Sequence, residues 1–291
     1  MSPGVAAVVV THNAESWLSD TLASILGQDR QPHRLVVIDD HSTDATCGLV
    51  RELARSAVLL ESRSAADDAI TRTAHNFVQG AAHARAMGCD IVILGDHDDV
   101  WHAGRVAHQA GLLEAEHRLA MVASDGVLRY ESAGGAPGDA AADAPTRLRE
   151  AFPVDATFAS WTPEQQFAYA LGSSLATGGA SAIRVSRLAP ALVPPLGWLH
   201  DRWWSLGACV VGGMLIDSSV VIDYRVRAGQ QVGLDRGRQE TSGAQRIRDG
   251  LTRAPRLLSR ARDLRAGLLP LATTASMQQA LSLRSIARAA R

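Results

Sequence analysis

Asp96, Asp98 and Asp99 place three carboxylates within four residues, directly after the apolar run Ile91-Val92-Ile93-Leu94 and Gly95. Three anions so close together repel one another, so the cluster calls for a cation. Carboxylate oxygens suit a hard divalent ion such as Mg²⁺ or Mn²⁺, and Mg²⁺ usually keeps substrate phosphates in its shell. The chemistry this spacing suggests is a metal-diphosphate site; the plain alternative is a solvated acidic turn. Further along, Asp201 follows Pro194-Pro195 and opens a helical pattern. A helix N-terminus favours negative charge, and a rigid approach aims the carboxylate, which suits a general base.

These residues need elements to position them. Ile91 to Leu94 reads as a strand buried on both faces. Val5 to Val10 is another strand, ending in Thr11-His12-Asn13, with Asn13 as the expected cap of a helix in which Trp17, Leu18, Leu22, Ile25 and Leu26 recur at helical spacing. Leu35 to Ile38 is a strand ending in Asp39-Asp40, with Ser42 placed to cap the next helix. Val58 to Leu60 is a short strand, Asn76 to Met87 and Val106 to Glu116 are helical, and Leu119 to Ala123 is a strand. Phe167 to Leu171 and His200 to Val211 read as helices, Thr177 to Ala180 as a tight turn, and Met214 to Ile216 with Val220 to Tyr224 as an edge ribbon. The rhythm predicts an α/β fold with a mostly parallel, doubly wound sheet. In such sheets ligands bind outside the carboxyl ends of the strands, where these acids lie.

Composition excludes several classes. All 29 basic residues are arginine, so no mechanism can use a catalytic lysine, and P-loop phosphate binding is ruled out. The first strand-helix turn has no G-x-G-x-x-G, so pyrophosphate is not expected on that helix N-terminus. Net charge is −1, which gives no global pull towards nucleic acid. Cys47, Cys89 and Cys209 form no CxxC and read as reduced thiols. No apolar stretch approaches the roughly 18 residues that span a bilayer. The N-terminus runs into a strand without a charged leader, so a cytoplasmic protein is expected.

Two regions differ in character. Residues 131–148 form a Gly/Ala/Pro-rich stretch expected to be a mobile loop. Residues 236–291 hold twelve arginines against Glu240, Asp249 and Asp263, a net +9, which leaves −10 on the preceding 235 residues. Leu251, Leu257, Leu258, Leu264, Leu268 and Leu269 are interleaved with those arginines. A basic amphipathic helix reads as a peripheral contact with an anionic membrane, or equally as a helix packed on the domain by its leucines. The expected division is a catalytic domain over 1–235 and a basic helical extension over 236–291. No aromatic residue lies in the extension to stack on bases, which argues against nucleic acid.

Several motifs now combine: Thr11-His12-Asn13, Thr21 to Gln28 (TLASILGQ), Val37 to Thr46 (VIDDHSTDAT), Asn76-Phe77, Asp96-His97-Asp98-Asp99-Val100-Trp101, and His200-Asp201. Together, over about residues 5 to 233, they resemble the inverting nucleotide-sugar glycosyltransferases of family 2, which have the GT-A fold. The form of the acidic motif, with Asn76-Phe77 before it and His200-Asp201 after it, resembles the rhamnosyltransferase-like branch. The resemblance implies that Thr11, His12, Asn13 and Asp40 line the nucleotide pocket and that Asp96 contacts ribose or sugar hydroxyls. It implies Asp98 and Asp99 as ligands of Mn²⁺ or Mg²⁺, and Asp201 as the base. Gly178 and Gly179 would lie under donor sugar and acceptor. The acceptor would be a saccharide or lipid-linked saccharide in surface polysaccharide synthesis. Relatives often carry Tyr-Arg-x-His near the domain end; here Arg227 takes the His position, where it can neutralise phosphate but cannot ligate a metal. A haloacid-dehalogenase-type phosphatase would share D-x-D-x-[TV], but needs a lysine and an N-terminal motif. A non-catalytic nucleotide-sugar or carbohydrate-binding module is the remaining alternative; its signature would be a broken acidic motif or a lost base, and both are present.

Overall fold

The computed structural model describes residues 3–131, 145–226 and 260–289. Val5 to Val10 are buried, and their alternation serves two cores. Ala6, Val8 and Val10 face one side of the sheet, and Val5, Ala7 and Val9 the other. The strand β1 (Gly4–Thr11) is followed by α1 (Leu18–Leu26), β2 (Arg34–Asp39), α2 (Thr46–Leu53), β3 (Val58–Glu61), α3 (Ala69–Ala86), β4 (Cys89–Asp96), β5 (Val100–Trp101), α4 (Arg105–Ala115) and β6 (Met121–Tyr130). Then come α5 (Leu148–Ala151), α6 (Pro163–Gly172), β7 (Ser181–Arg184), α7 (Val185–Leu188), α8 (His200–Val210) and β8 (Met214–Val226). Helices α1, α2 and α4 cover one face of the sheet; α3 and α8 cover the other.

The strand order is β3-β2-β1-β4-β7-β6-β8-β5. Strands β3, β2, β1 and β4 are parallel, β7 runs antiparallel to both β4 and β6, β6 and β8 are parallel, and β5 is antiparallel to β8. The sheet is therefore mixed, with its parallel half carrying the site. In that half Thr11 pairs with Asp39, and Val10 pairs with Asp96. This register brings three separate strand ends to one edge.

Local expectations fail where polar side chains find distant partners. Asn13 does not cap α1, whose N-cap is Trp17 without a side-chain bond. It sits instead at φ 46°, a left-handed conformation that asparagine tolerates. Ser42 does not cap α2; its Oγ donates to Asp39 Oδ1 at 2.6 Å. Helix α3 starts at Ala69, well before Asn76, because Asp68 caps it by accepting from the Thr71 N–H. The expected ribbon is one strand, β8, whose register against β6 shifts between Ala123 and Gly126. That shift leaves Asp217 to Ser219 outside the ladder, which is where the apolar pattern breaks. Residues 132–144 of the Gly/Ala/Pro-rich stretch lie outside the described residues.

The C-terminal segment turns its leucines inward. A helix over 260–268 (α9) is followed by α10 (Ala275–Ala280) and α11 (Leu283–Ala289). Leu264, Leu268, Leu271, Met277, Leu281 and Ile286 are buried in the same core as Trp203 and Trp204 of α8. Leu251, Leu257 and Leu258 lie outside the described residues. A boundary at 235/236 thus separates parts of one core, and the leucines available to a bilayer exclude Leu264 and Leu268. Leu268 is fully buried, so Leu268→Ala should cost about 2–5 kcal/mol, lowering Tm by roughly 5–15 °C. Thermal denaturation reads this out, and an unchanged Tm would mean that the contact is not made in solution. Removal of everything after Gly233 should expose this core and yield an aggregating chain.

Candidate active site

The edge formed by β1, β2 and β4 opens into a cavity of about 1050 Å³. Thr11, His12, Asn13 and Asp40 line one end, Asp96, His97 and Asp98 its floor, and Gly178 and Asp201 the side facing them. Thr11 is buried and its hydroxyl donates to Asp39 Oδ1 at 2.8 Å. Burial alone would raise the Asp39 pKa, but hydrogen bonds from Ser42 and Thr11 outweigh it and hold it below the ordinary carboxylate value. Asn13 donates its N–H to Ser42 Oγ at 2.9 Å, and its Oδ1 accepts the Thr43 N–H at 2.9 Å. These bonds stitch the first two strand ends into one rigid rim. Asp40 pairs with Arg72 Nε of α3 at 2.9 Å, while its Oδ1 is buried without a partner. No sequence signal pointed to Arg72, because the pair spans 32 residues.

The three clustered acids occupy different environments. Asp96 and Asp98 reach the cavity wall. Asp99 is fully buried behind it; its Oδ1 accepts the Arg225 N–H at 3.3 Å, and its Oδ2 has no partner. Burial first, then the charges of Asp98 and Asp96, push the Asp99 pKa well above the ordinary carboxylate value. The cation demanded by the sequence is partly supplied by the protein. Buried Arg105 stacks on the Trp101 ring at 3.9 Å and donates to the Leu94 carbonyl at 2.7 Å. Burial lowers its pKa to about 9 against the opposing pull of Asp99 and Asp96. Arg225 donates to the Asp98 carbonyl at 3.1 Å. Arg227 lies outside the described residues.

A glycine pair joins these acids to Asp201. The Gly178 N–H donates to Asp201 Oδ2 at 3.0 Å. A Cβ on Gly178 would lie 2.6 Å from His200 Nε2, and one on Gly179 would lie 2.4 Å from Asp99 Oδ2 and 2.9 Å from Asp96 Oδ2. Only glycine lets the turn approach both sides at once. Gly179 is buried beneath the wall rather than on it. Asp201 lies in the first turn of α8, and its Oδ1 accepts the Arg202 N–H at 2.6 Å. His200 beside it is stacked on Phe77, with ring centroids 3.9 Å apart. Burial lowers its pKa to about 4, so it is a neutral, weakly basic group at pH 7. Trp203 and Trp204 donate to the Ala191 and Leu192 carbonyls and belong to the core. Trp198 lines the cavity under Arg260, whose guanidinium is 5.0 Å from its ring centroid.

The far wall of the cavity holds Leu171, Leu206, Leu264 and Ile286. The last two come from the C-terminal helices. Tyr224 of β8 also lines the cavity, which the sequence reading did not anticipate. Beside the His97 imidazole, the floor offers the carboxylate oxygens of Asp96 and Asp98, and an unpartnered Asp99 Oδ2 lies behind them, so the chemistry fits a hard divalent ion. Among the described residues no group of three or more His, Cys, Asp or Glu is arranged to hold a metal. No helix of the described residues is long and apolar enough to cross a membrane.

Residues 6–131 match the model of glycosyl transferase family 2. Over 94 residues the chain is 34% identical to galactofuranosyltransferase GlfT1 of Mycolicibacterium smegmatis, a match covering 32% of this chain and 30% of that protein. The crystal structure of S. aureus TarS 1-349 is similar with a TM-score of 0.51 at 15% identity, over 76% of this chain and 60% of that one. The same TarS fragment in complex with UDP gives 0.50 at 16%, over 77% and 60%. At such identities the structural likeness speaks to the fold, which is the GT-A-like α/β arrangement of these proteins. The chain spans less than a third of the length of the curated relative it matches. The matched segment runs from β1 to β6 and contains Thr11, Asp40, Asp96, Asp98 and Asp99, but not Asp201. The match to glycosyl transferase family 2 thus spans the ends of β1, β2 and β4 and the acidic turn that follows β4.

Proposed function

We propose that this protein is an inverting glycosyltransferase that moves a sugar from a nucleoside diphosphate to an acceptor hydroxyl. The observation that carries the reading is the Gly178-Gly179 turn, which holds Asp201 at one end and packs on Asp99 and Asp96 at the other, across one cavity. A displacement reaction needs that arrangement, with a leaving-group site and a base on opposite sides of the reacting carbon.

In this reading the rim of Thr11, His12, Asn13 and Asp40 receives the nucleoside, and Asp96 receives ribose or sugar hydroxyls. Gly178 and Gly179 keep the floor under the sugar free of side chains. Asp201 takes the proton from the acceptor hydroxyl as its oxygen attacks the anomeric carbon, and the single displacement inverts that centre. Its hydrogen bond from the Gly178 N–H fixes the direction of the carboxylate. Asp98, and Asp99 through its unpartnered oxygen, would hold Mn²⁺ or Mg²⁺, which when bound acts as a Lewis acid on the diphosphate.

The donor is proposed to carry uridine or deoxythymidine diphosphate. A rhamnosyl donor, suggested by the motif resemblance, and a galactofuranosyl donor, suggested by the name of the matched relative, are the first to test. The acceptor is proposed to be a saccharide or lipid-linked saccharide in surface polysaccharide synthesis. A cytoplasmic location goes with that reading. Any peripheral membrane contact falls to the arginines of 236–256, since the leucines at 264 and 268 are buried. A thermal-shift panel of nucleotide sugars with Mn²⁺ tests the donor, because a ligand stabilises by RT ln(1 + [L]/Kd), about 2.7 kcal/mol at a hundredfold excess over Kd. The true donor should stand out and be turned over. Binding without turnover across a panel of saccharide acceptors would favour a binding module, and no shift from any nucleotide sugar would defeat the proposal.

A further inference from the structure

Tyr224 is 5% exposed and its side chain reaches the cavity wall. Among the described residues nothing accepts a hydrogen bond from its hydroxyl. Asp96, Asp98 and Asp201 line the same cavity, and Asp99 is buried behind it. Their charges, after burial itself, push the phenol pKa well above its ordinary value. A phenol, with an ordinary pKa of about 10, carries its proton at neutral pH. A donor on a cavity wall with no acceptor among the described residues is open to water or to a ligand that enters the cavity.

The local balance of donors and acceptors says what that partner is. The cavity floor is rich in carboxylates, which accept hydrogen bonds and repel anions. A diphosphate placed there needs donors; of the described arginines Arg202 and Arg260 line the cavity, Arg202 bonded to the Ser173 and Leu171 carbonyls and Arg260 lying over Trp198. Arg105 is committed to Leu94 and Gln109, and Arg225 to the Asp98 carbonyl, Asp20 and Glu131. A neutral phenol offers a proton to an anion without adding a charge of its own. Bonds from such donors to charged oxygens are about twice as strong as neutral ones, and they strengthen as charge grows on the leaving group.

Resting on the glycosyl-transfer reading, we propose that the Tyr224 hydroxyl is a hydrogen-bond donor to the diphosphate of the nucleotide sugar, at the phosphate attached to the transferred sugar. The phenol thereby discriminates nucleoside diphosphates from monophosphates. It is held on β8 for that contact by the Leu128–Tyr224 pairing with β6.

The test is Tyr224→Phe in the full chain, which removes one O–H at nearly constant volume. Calorimetric titration with UDP and with UMP, both with Mn²⁺ present, should show UDP affinity reduced about ten- to a hundredfold and UMP affinity unchanged. Tm of the free protein should stay at the wild-type value, and kcat for sugar transfer should fall at least as much as UDP affinity. Equal losses for UDP and UMP would make Tyr224 a structural residue and overturn the proposal. A fall in kcat with UDP affinity intact would overturn it as well, because the hydroxyl would then serve sugar or acceptor. A wild-type chain that binds no nucleoside diphosphate would defeat the glycosyl-transfer reading, and this proposal with it. That result is distinct from a wild type that binds UDP and a Tyr224→Phe chain that binds it equally well.

Discussion

Asp201→Asn should lower kcat by about 10²–10⁴-fold, the range over which a positioned general base contributes. The amide oxygen can still accept the Gly178 N–H, so the turn and cavity floor should keep their shape. Donor KM and Tm should therefore change little. Losing kcat while retaining KM marks an interaction made in the transition state rather than in the ground state. Steady-state kinetics with the donor found by thermal shift will read it. If kcat survives and KM rises, Asp201 is a binding residue and the base must be sought elsewhere on the wall. His200 is a poor candidate, since its pKa of about 4 leaves it little affinity for a proton.

Removing the divalent ion should have an effect of similar size. A metal stabilising charge on a leaving diphosphate contributes several kcal/mol, and about 1.4 kcal/mol is a tenfold change in rate. EDTA should thus lower turnover by about 10³-fold, with Mn²⁺ or Mg²⁺ restoring it. Asp98→Ala should give the chelated rate in the presence of metal. Asp99→Asn is the informative companion, because Asp99 stands behind the cavity wall with its pKa raised by burial and by its acidic neighbours. If it ligates the ion, the amide should cost as much as chelation. Full metal-dependent activity in Asp99→Asn would make it a structural acid that holds the Arg225 backbone, and full activity of the wild type in EDTA would remove the metal from the scheme.

Many of the residues in these predictions were legible from local pattern. Thr11, Asp40 and Asp96 end or follow apolar β-branched runs, and a polar residue after such a run lies at a sheet edge. Parallel pairing in register then puts those edges side by side. Asp201 was legible because a double proline and a helix start constrain where its side chain can go. Asn13 and Ser42 leave the cap positions that local pattern assigns them for the converse reason. Their local option as helix caps lost to partners about thirty residues away, across two strand ends.

The C-terminal leucines mark the limit of periodicity. An amphipathic stripe states that a helix has an apolar face, but a bilayer and a protein core satisfy that face equally. Only packing against Trp203, Trp204 and α6 decided for the core over residues 260–289, and it carried Leu264 and Ile286 to the cavity wall.

By itself, the sequence determined the fold class, the sheet edge at which Thr11, Asp40 and Asp96 lie, the clustering of three carboxylates after β4 and the absence of lysine. These follow from residue type and short-range spacing, which act before the chain is compact. Tertiary structure decided the rest. It set Asp99 behind Asp98, gave the acids Arg105 as a buried counter-charge, and used Gly178 and Gly179 to bring Asp201 to the acidic floor. It also put Tyr224 on the same cavity wall. Each of these depends on burial and on contacts between residues far apart in the chain. Desolvation and charge-charge energies exist only once the low-dielectric interior has formed, so no spacing along the chain could encode them in legible form.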